Sequence, residues 1–158
     1  KHGGSYTATA VGEVNVVAEM KKVGAVIGGE GNGGVIYPKL HYGRDALVGV
    51  ALFLSLLAEK KQSLSKLRLT YPVYFMSKNK ILLEQDMDAD LILDAIAFKY
   101  KNEKISLIDG VKIDFPKHWV HLRKSNTEPI IRIYTEAENS EAANALAEDF
   151  INQIKTLF

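Results

Sequence analysis

Two short stretches of this sequence carry residues that could do chemistry. The first is Gly28-Gly29-Glu30-Gly31-Asn32-Gly33-Gly34. A carboxylate such as Glu30 accepts hydrogen bonds from two hydroxyls, and an amide such as Asn32 donates to one while accepting from another. The letters also satisfy GxGxxG, the dinucleotide fingerprint, but that motif needs a helix to open at its third glycine and offer its N-terminus to pyrophosphate. Here an apolar strand, Val35-Ile36-Tyr37, and then Pro38 follow. The stretch therefore reads as a close-approach loop between strands that presents Glu30 and Asn32. In isolation it also fits an ordinary glycine-rich hairpin with a solvated Glu30, and that simpler reading is preferred for the loop alone.

The second stretch is Arg123-Lys124-Ser125-Asn126-Thr127-Glu128-Pro129, followed by Arg132. Phosphate binding needs several convergent donors. Ser125, Asn126 and Thr127 supply neutral side-chain donors beside backbone N–H groups, and Arg123 can make a bidentate contact. It is no Walker loop, since the glycines and the Gly-Lys-Thr ending are missing. Ser, Asn and Thr are also common turn residues, so an ordinary polar turn stands beside the phosphate reading.

Other features carry less. His2, His41, His118 and His121 lack metal-ligand spacing, and on a strand His118 and His121 would point to opposite faces. Asp86, Asp88 and Asp90 fit the acidic start of a helix. Trp119, with Tyr100 and Phe115, reads as core.

The elements that must position these loops follow from the apolar spacing. Val16, Val17, Met20 and Val23 predict a helix over 14–23, ended by Gly24. Ala25-Val26-Ile27 predicts a short buried strand leading into the glycine loop. Asp45 is an N-cap for the apolar run Ala46 to Ala58, which is broken only by Gly49 and Ser55. As a helix that run is roughly 20 Å long, against about 30 Å of bilayer hydrocarbon, so it reads as a buried core helix. The polar residues Lys60 to Ser63, a short helical turn from Leu64 and Tyr71-Pro72 mark a change of domain, with 62–72 as linker.

From Val73 the pattern is α+β. A strand to Leu83 precedes a helix capped by Asp88 and carrying Leu91, Ile92, Ala95, Ile96 and Lys99. Strands near 105–108, 111–115 and 119–123 follow, with turn signals at Asp109-Gly110 and Pro116-Lys117. A strand from Ile130 and a helix from Ser140, burying Ala143, Ala147, Phe150, Ile154 and Phe158 on one stripe, complete a sheet with two helices on one face.

Composition bounds the rest. The 158 residues are 47% hydrophobic and 25% charged, with a net charge of +1 and no cysteine. Bulk charge therefore gives no hold on nucleic acid or an anionic membrane, and disulfides and thiolate metal sites are excluded. No signal or targeting pattern is visible, and a cytoplasmic protein is expected. Gly3, Gly4 and the Thr/Ala alternation after them read as a loop entering a fold.

Taken together, the run TAVGE (Thr9 to Glu13), the loop GGEGNGG and the turn RKSNTEP resemble the alpha-D-phosphohexomutase family in order and rough spacing. That family comprises phosphoglucomutases, phosphomannomutases and phosphoglucosamine mutases. The resemblance covers essentially the whole chain. It implies that residues 1–61 are the second half of the family's third domain, an α/β domain. It implies equally that 73–158 are the complete fourth domain, a TBP-like antiparallel sheet covered by two helices. Glu30 and Asn32 would then bind sugar hydroxyls, with Glu13 near the sugar. Arg123, Ser125, Asn126, Thr127 and Arg132 would hold the substrate's phosphate. Two departures stand out: many members have serine at the position of Asn32 and histidine at that of Gly34, so no role of that histidine carries over. The GEGNGG form resembles archaeal-type phosphoglucosamine and phosphomannose mutases.

The resemblance also implies parts that this sequence lacks. The family's phosphorylated serine sits in a Thr-x-Ser-His-Asn type loop, and its Mg²⁺ is held by a DGDGDR type loop. Neither occurs here. No catalytic residue is therefore expected in this chain, and the magnesium ligands are expected outside it. The implied reading is the C-terminal fragment of an intramolecular phosphotransferase that interconverts hexose 1-phosphate and 6-phosphate. It would work with the remaining mutase domains on a phosphosugar, with neither nucleic acid nor membrane as partner. A stand-alone, non-catalytic phosphosugar-binding module is the alternative.

Overall fold

In a computed structural model, which describes residues 3–84, 87–125 and 127–157, the chain divides between Pro72 and Val73 into two units. In the first, helix α1 (Glu13–Val23) ends at Gly24, whose left-handed backbone (φ 64°) favours glycine. Its Val16 and Met20 pack on Ile36 as a small core. Ile36 belongs to a three-stranded antiparallel sheet of β1 (Gly28–Gly29), β2 (Val35–Tyr37) and β3 (His41–Arg44), in that order. Asp45 ends β3 and caps α2 (Ala46–Lys60) by accepting the Val48 N–H. The connecting stretch carries α3 (Leu64–Arg68), capped by Ser63, with Leu67 buried.

Two expectations for this unit fail. Pairing begins only at Gly28, so Ala25 to Ile27 form no buried strand, and Val26 is 76% exposed. Among the described residues β1 is the edge of its sheet, so apolar residues leading into it gain no cover there. Nor is α2 buried, for none of its residues is, and Leu47 is 82% exposed. The helix is apolar on all sides, while β2 meets it on one, where Gly49 lies against Val35. The sequence reading also lacks β3, since His-Tyr-Gly-Arg shows no β-branched run.

The second unit is one antiparallel sheet of β4 (Phe75–Leu82), β5 (Lys104–Ser106), β6 (Val111–Asp114), β7 (Trp119–Lys124) and β8 (Ile130–Ala137), in the order β4-β8-β7-β6-β5. Helices α4 (Ala89–Lys99) and α5 (Ser140–Leu157) cover one face. Val111, Ile113, Val120, Leu122, Ile131 and Ile133 meet Ile92, Ile96, Phe150 and Ile154 there. Asp88 caps α4 as expected, accepting the Asp90 N–H. On this helix Ile92, Leu93 and Ile96 are buried while Leu91 is exposed. Trp119 does not join Tyr100 and Phe115. Those two rings pack with the core on the helix side, and Trp119 lies on the open face, donating to Glu136. Phe158 lies outside the described residues.

The cores are unequal. Among the described residues, twelve buried apolar side chains cluster in the second unit and three in the first. Limited proteolysis is therefore expected to cut before Pro72 first and leave a resistant piece beginning near Val73. Survival of the N-terminal piece while the C-terminal piece is degraded would contradict this.

Candidate functional site

The glycine loop is a tight hairpin between β1 and β2. Glu30 N–H donates to the Gly34 carbonyl at 3.1 Å, and Gly33 N–H to the Glu30 carbonyl at 3.0 Å. Gly33 has φ 98°, and a Cβ on Gly29 would stand 2.2 Å from the Gly34 carbonyl oxygen. Backbone approach this close admits only glycine. Asn32 is exposed at the tip, its Oδ1 accepting the Gly34 N–H at 3.1 Å.

Glu30 is not merely solvated. Its side chain is only 16% exposed, with Oε1 accepting the Gly12 N–H at 3.2 Å and Oε2 lying 3.9 Å from the Arg44 guanidinium. Glu13 opens α1, where a negative charge suits the helix N-terminus. Its carboxylate accepts from Arg44 Nε at 2.7 Å and from the Arg44 backbone N–H at 3.3 Å. Arg44 thus brings Glu13 and Glu30 together, and nothing in its sequence neighbourhood announces it. The partners lie 31 residues away for Glu13 and across the hairpin for Glu30, joined only when β3 pairs with β2.

Asp45 fixes that placement. Its backbone N–H donates to the Val35 carbonyl at 2.8 Å while its carboxylate caps α2. The Val48 N–H, and then His41, hold the Asp45 carboxyl below its usual range. The stabilisation from this lowered pKa is present above the ordinary carboxylate value and is lost as pH falls through the lowered one.

The polar turn in the second unit joins β7 to β8. Ser125 N–H donates to the Ile130 carbonyl at 3.0 Å, and the Thr127 N–H reaches Ser125 Oγ at 3.4 Å. Asn126 lies outside the described residues. Arg123 and Arg132 stand directly opposite in register on the open face, away from the buried Leu122 and Ile133. Lys80 continues the row, opposite Arg132 on β4. The sequence reading lacks Lys80, because only the register places it there.

Like charges facing each other across strands destabilise a sheet unless something neutralises them. Asp109 partly does so for Arg123 at 3.1 Å, and Glu128 for Arg132 at 3.4 Å. Asp109 is delivered by the turn at Gly110, which has φ 72° and lies so close to β7 that a Cβ would sit 2.2 Å from the Leu122 carbonyl oxygen. Lys124 points elsewhere, into an ion pair with Asp90 at 2.6 Å. A cleft of about 450 Å³ borders the turn beside Asp88, Asp90 and Lys124. Its two carboxylates suit an anion poorly, so the cationic row is the better phosphate locus. Among the described residues no group of three or more His, Cys, Asp or Glu could hold a metal. The Mg²⁺ implied by the resemblance has no fitting ligand group among those residues. Nor is any helix among the described residues long and apolar enough to cross a membrane.

Comparison with known proteins gives concordant matches. Residues 1–74 match the family described as "Phosphoglucomutase/phosphomannomutase, alpha/beta/alpha domain III". Residues 79–153 match "Phosphoglucomutase/phosphomannomutase, C-terminal domain". The chain is 33% identical over 154 residues to a probable phosphoglucosamine mutase of Methanopyrus kandleri, covering 97% of this chain and 34% of that protein. It is 36% identical over 148 residues to a phosphoglucomutase/phosphomannomutase of Thermococcus kodakarensis, covering 94% and 32%. A phosphoglucosamine/phosphogalactosamine mutase of Sulfurisphaera tokodaii is 36% identical over 151 residues, covering 94% and 32%. The crystal structure of a phosphoglucomutase/phosphomannomutase family protein from Burkholderia thailandensis superposes with a TM-score of 0.71 at 26% identity, covering 92% of this chain and 31% of that one. The chain thus spans about a third of the length of the curated relatives it matches.

Proposed function

The chain belongs to the phosphoglucomutase/phosphomannomutase family, and from that premise we propose that it is the substrate-holding part of a phosphohexomutase. The reaction is the interconversion of hexose 1-phosphate and 6-phosphate through a phosphoserine enzyme and a bisphosphate intermediate. Phosphoryl transfer itself falls to residues this chain does not contain, in a cytoplasmic enzyme whose Mg²⁺ is held by its other domains.

The observation that carries the reading is the facing pair Arg123 and Arg132 beside the Ser125–Thr127 turn. Two guanidiniums side by side, paired with Asp109 and Glu128 among the described residues, gain from a dianionic phosphate settling between them. Ser125, Thr127 and Asn126 add neutral donors that fix its orientation. On the hairpin, Glu30 accepts from ring hydroxyls, Asn32 can donate and accept, and Glu13 adds a second carboxylate nearby. One locus grips charge and the other reads the ring. Phosphoryl transfer depends on such positioning and charge neutralisation, because the transition state asks little covalent chemistry of the protein.

The ring-reading role is tested by Glu30→Gln in the full-length enzyme. The change keeps the shape and removes the charge. It is expected to lower turnover and to change the ranking among glucose, mannose and glucosamine phosphates, leaving inorganic phosphate affinity nearly unchanged. Steady-state kinetics with the three sugars and calorimetry with phosphate provide the check. An unaltered ranking at full turnover would mean that the hairpin is an ordinary turn.

A further inference from the structure

We propose that Arg44 is the positioning residue of the sugar subsite, clamping Glu13 and Glu30 into one rigid pair that takes ring hydroxyls or a ring ammonium and repels a ring carboxylate. The inference rests on reading the hairpin as the sugar subsite and adds what organises it.

Glu13 and Glu30 come from different elements and repel each other as neighbouring anions. Arg44 holds Glu13 twice, through Nε at 2.7 Å and through its backbone N–H at 3.3 Å, and turns its terminal nitrogen towards Glu30 at 3.9 Å. The planar guanidinium serves two carboxylates in different directions, which an ammonium cannot do with fixed geometry. Two carboxylates against one guanidinium leave the cluster with net negative charge. That charge accepts from hydroxyls, attracts a protonated amine and disfavours an acidic sugar. Arg44 remains half exposed, so the cluster is open to a ligand.

Gly34 makes the arrangement possible. A Cβ there would stand 2.7 Å from Arg44 Cδ and 3.3 Å from its Cγ. Gly34 lies outside the left-handed backbone region, so alanine strains nothing locally. What alanine does is push the Arg44 side chain off its seat. Gly34→Ala therefore tests the clamp with every charge still present.

The experiment takes the full-length enzyme in wild-type form and as Gly34→Ala, Arg44→Met, Arg44→Lys and Glu30→Gln, with thermal melts to confirm folding. Turnover is read with glucose and glucosamine phosphates, and affinity with inorganic phosphate. Arg44→Met is expected to lower kcat roughly tenfold to a hundredfold for both sugars at unchanged phosphate affinity, as misplaced positioning groups do. Because it leaves both carboxylates uncompensated, it should also shift kcat/KM towards the ammonium-bearing sugar by roughly threefold to tenfold. Arg44→Lys should restore the sugar ratio but only part of kcat, and Gly34→Ala should lower kcat without moving the ratio as far. If Glu30→Gln impairs turnover while folded Arg44→Met and Gly34→Ala match wild type, the clamp is refuted and the sugar subsite stands. If Glu30→Gln is also without effect, the subsite reading itself has failed.

Discussion

The purified 158-residue chain is expected to convert no hexose 1-phosphate into 6-phosphate, with or without Mg²⁺ and a sugar bisphosphate activator. On the proposed reading the glycine hairpin and the Ser125 turn hold a substrate, but holding does not break a phosphate ester. Uncatalysed phosphate-monoester hydrolysis is among the slowest reactions known, and enzymes accelerate it by up to ~10²¹-fold. On the proposed mechanism a serine outside this chain lowers that barrier by donating and taking back the phosphoryl group. This sequence contains no Thr-x-Ser-His-Asn type loop to supply it and no DGDGDR type loop to neutralise charge. On that reading Arg123 and Ser125 donate hydrogen bonds to an anion and take no phosphoryl group from it. The check is a coupled assay on extensively purified chain. Turnover that tracks this polypeptide and survives removal of trace host mutase would overturn the division of labour proposed here.

What the sequence makes legible is local. The caps at Asp45 and Asp88, the stop at Gly24 and the turn at Asp109-Gly110 are read from neighbouring residues, and each stands where expected. The stripe on α5 is likewise read from its own spacing, with Ala143, Ala147, Phe150 and Ile154 all buried. Covering is different, because it depends on what arrives from elsewhere in the chain. The apolar run of α2 has the composition of a buried helix, yet none of its residues is buried, with β2 against one side of it.

The same distinction runs through the candidate site. Glu30, Arg123 and Ser125 stand out because a glycine loop and a polar turn present them. Arg44 and Lys80 do not, because one acts through partners in α1 and the hairpin, and the other joins its row only through the β4–β8 register. Single-residue chemistry is visible in a sequence, but the groups that orient it come into view only with strand pairing.

Arg123→Ala in the full-length enzyme is expected to weaken binding of every phosphosugar by roughly tenfold to a hundredfold, whatever the ring substituents. A charge-assisted hydrogen bond to phosphate contributes about 1.5–3 kcal/mol, and Arg123 can make more than one. The loss is held below the full sum because Arg132 and Lys80 remain in the same row across the sheet. Asp109 supplies an internal control. It holds the guanidinium at 3.1 Å, so Asp109→Asn keeps the hydrogen-bonding shape while weakening the competing attraction. If the pair merely stabilises the sheet, Asp109→Asn and Arg123→Ala should both lower the melting temperature and leave phosphate affinity alone. If Arg123 is there to hold phosphate, the two variants should part: Arg123→Ala loosens the anion, and Asp109→Asn leaves affinity unchanged or tightens it. Calorimetry with inorganic phosphate, alongside KM for glucose, mannose and glucosamine phosphates, separates these cases. Intact phosphate affinity in a folded Arg123→Ala enzyme would remove the phosphate role from this row and return the Ser125–Thr127 stretch to an ordinary turn.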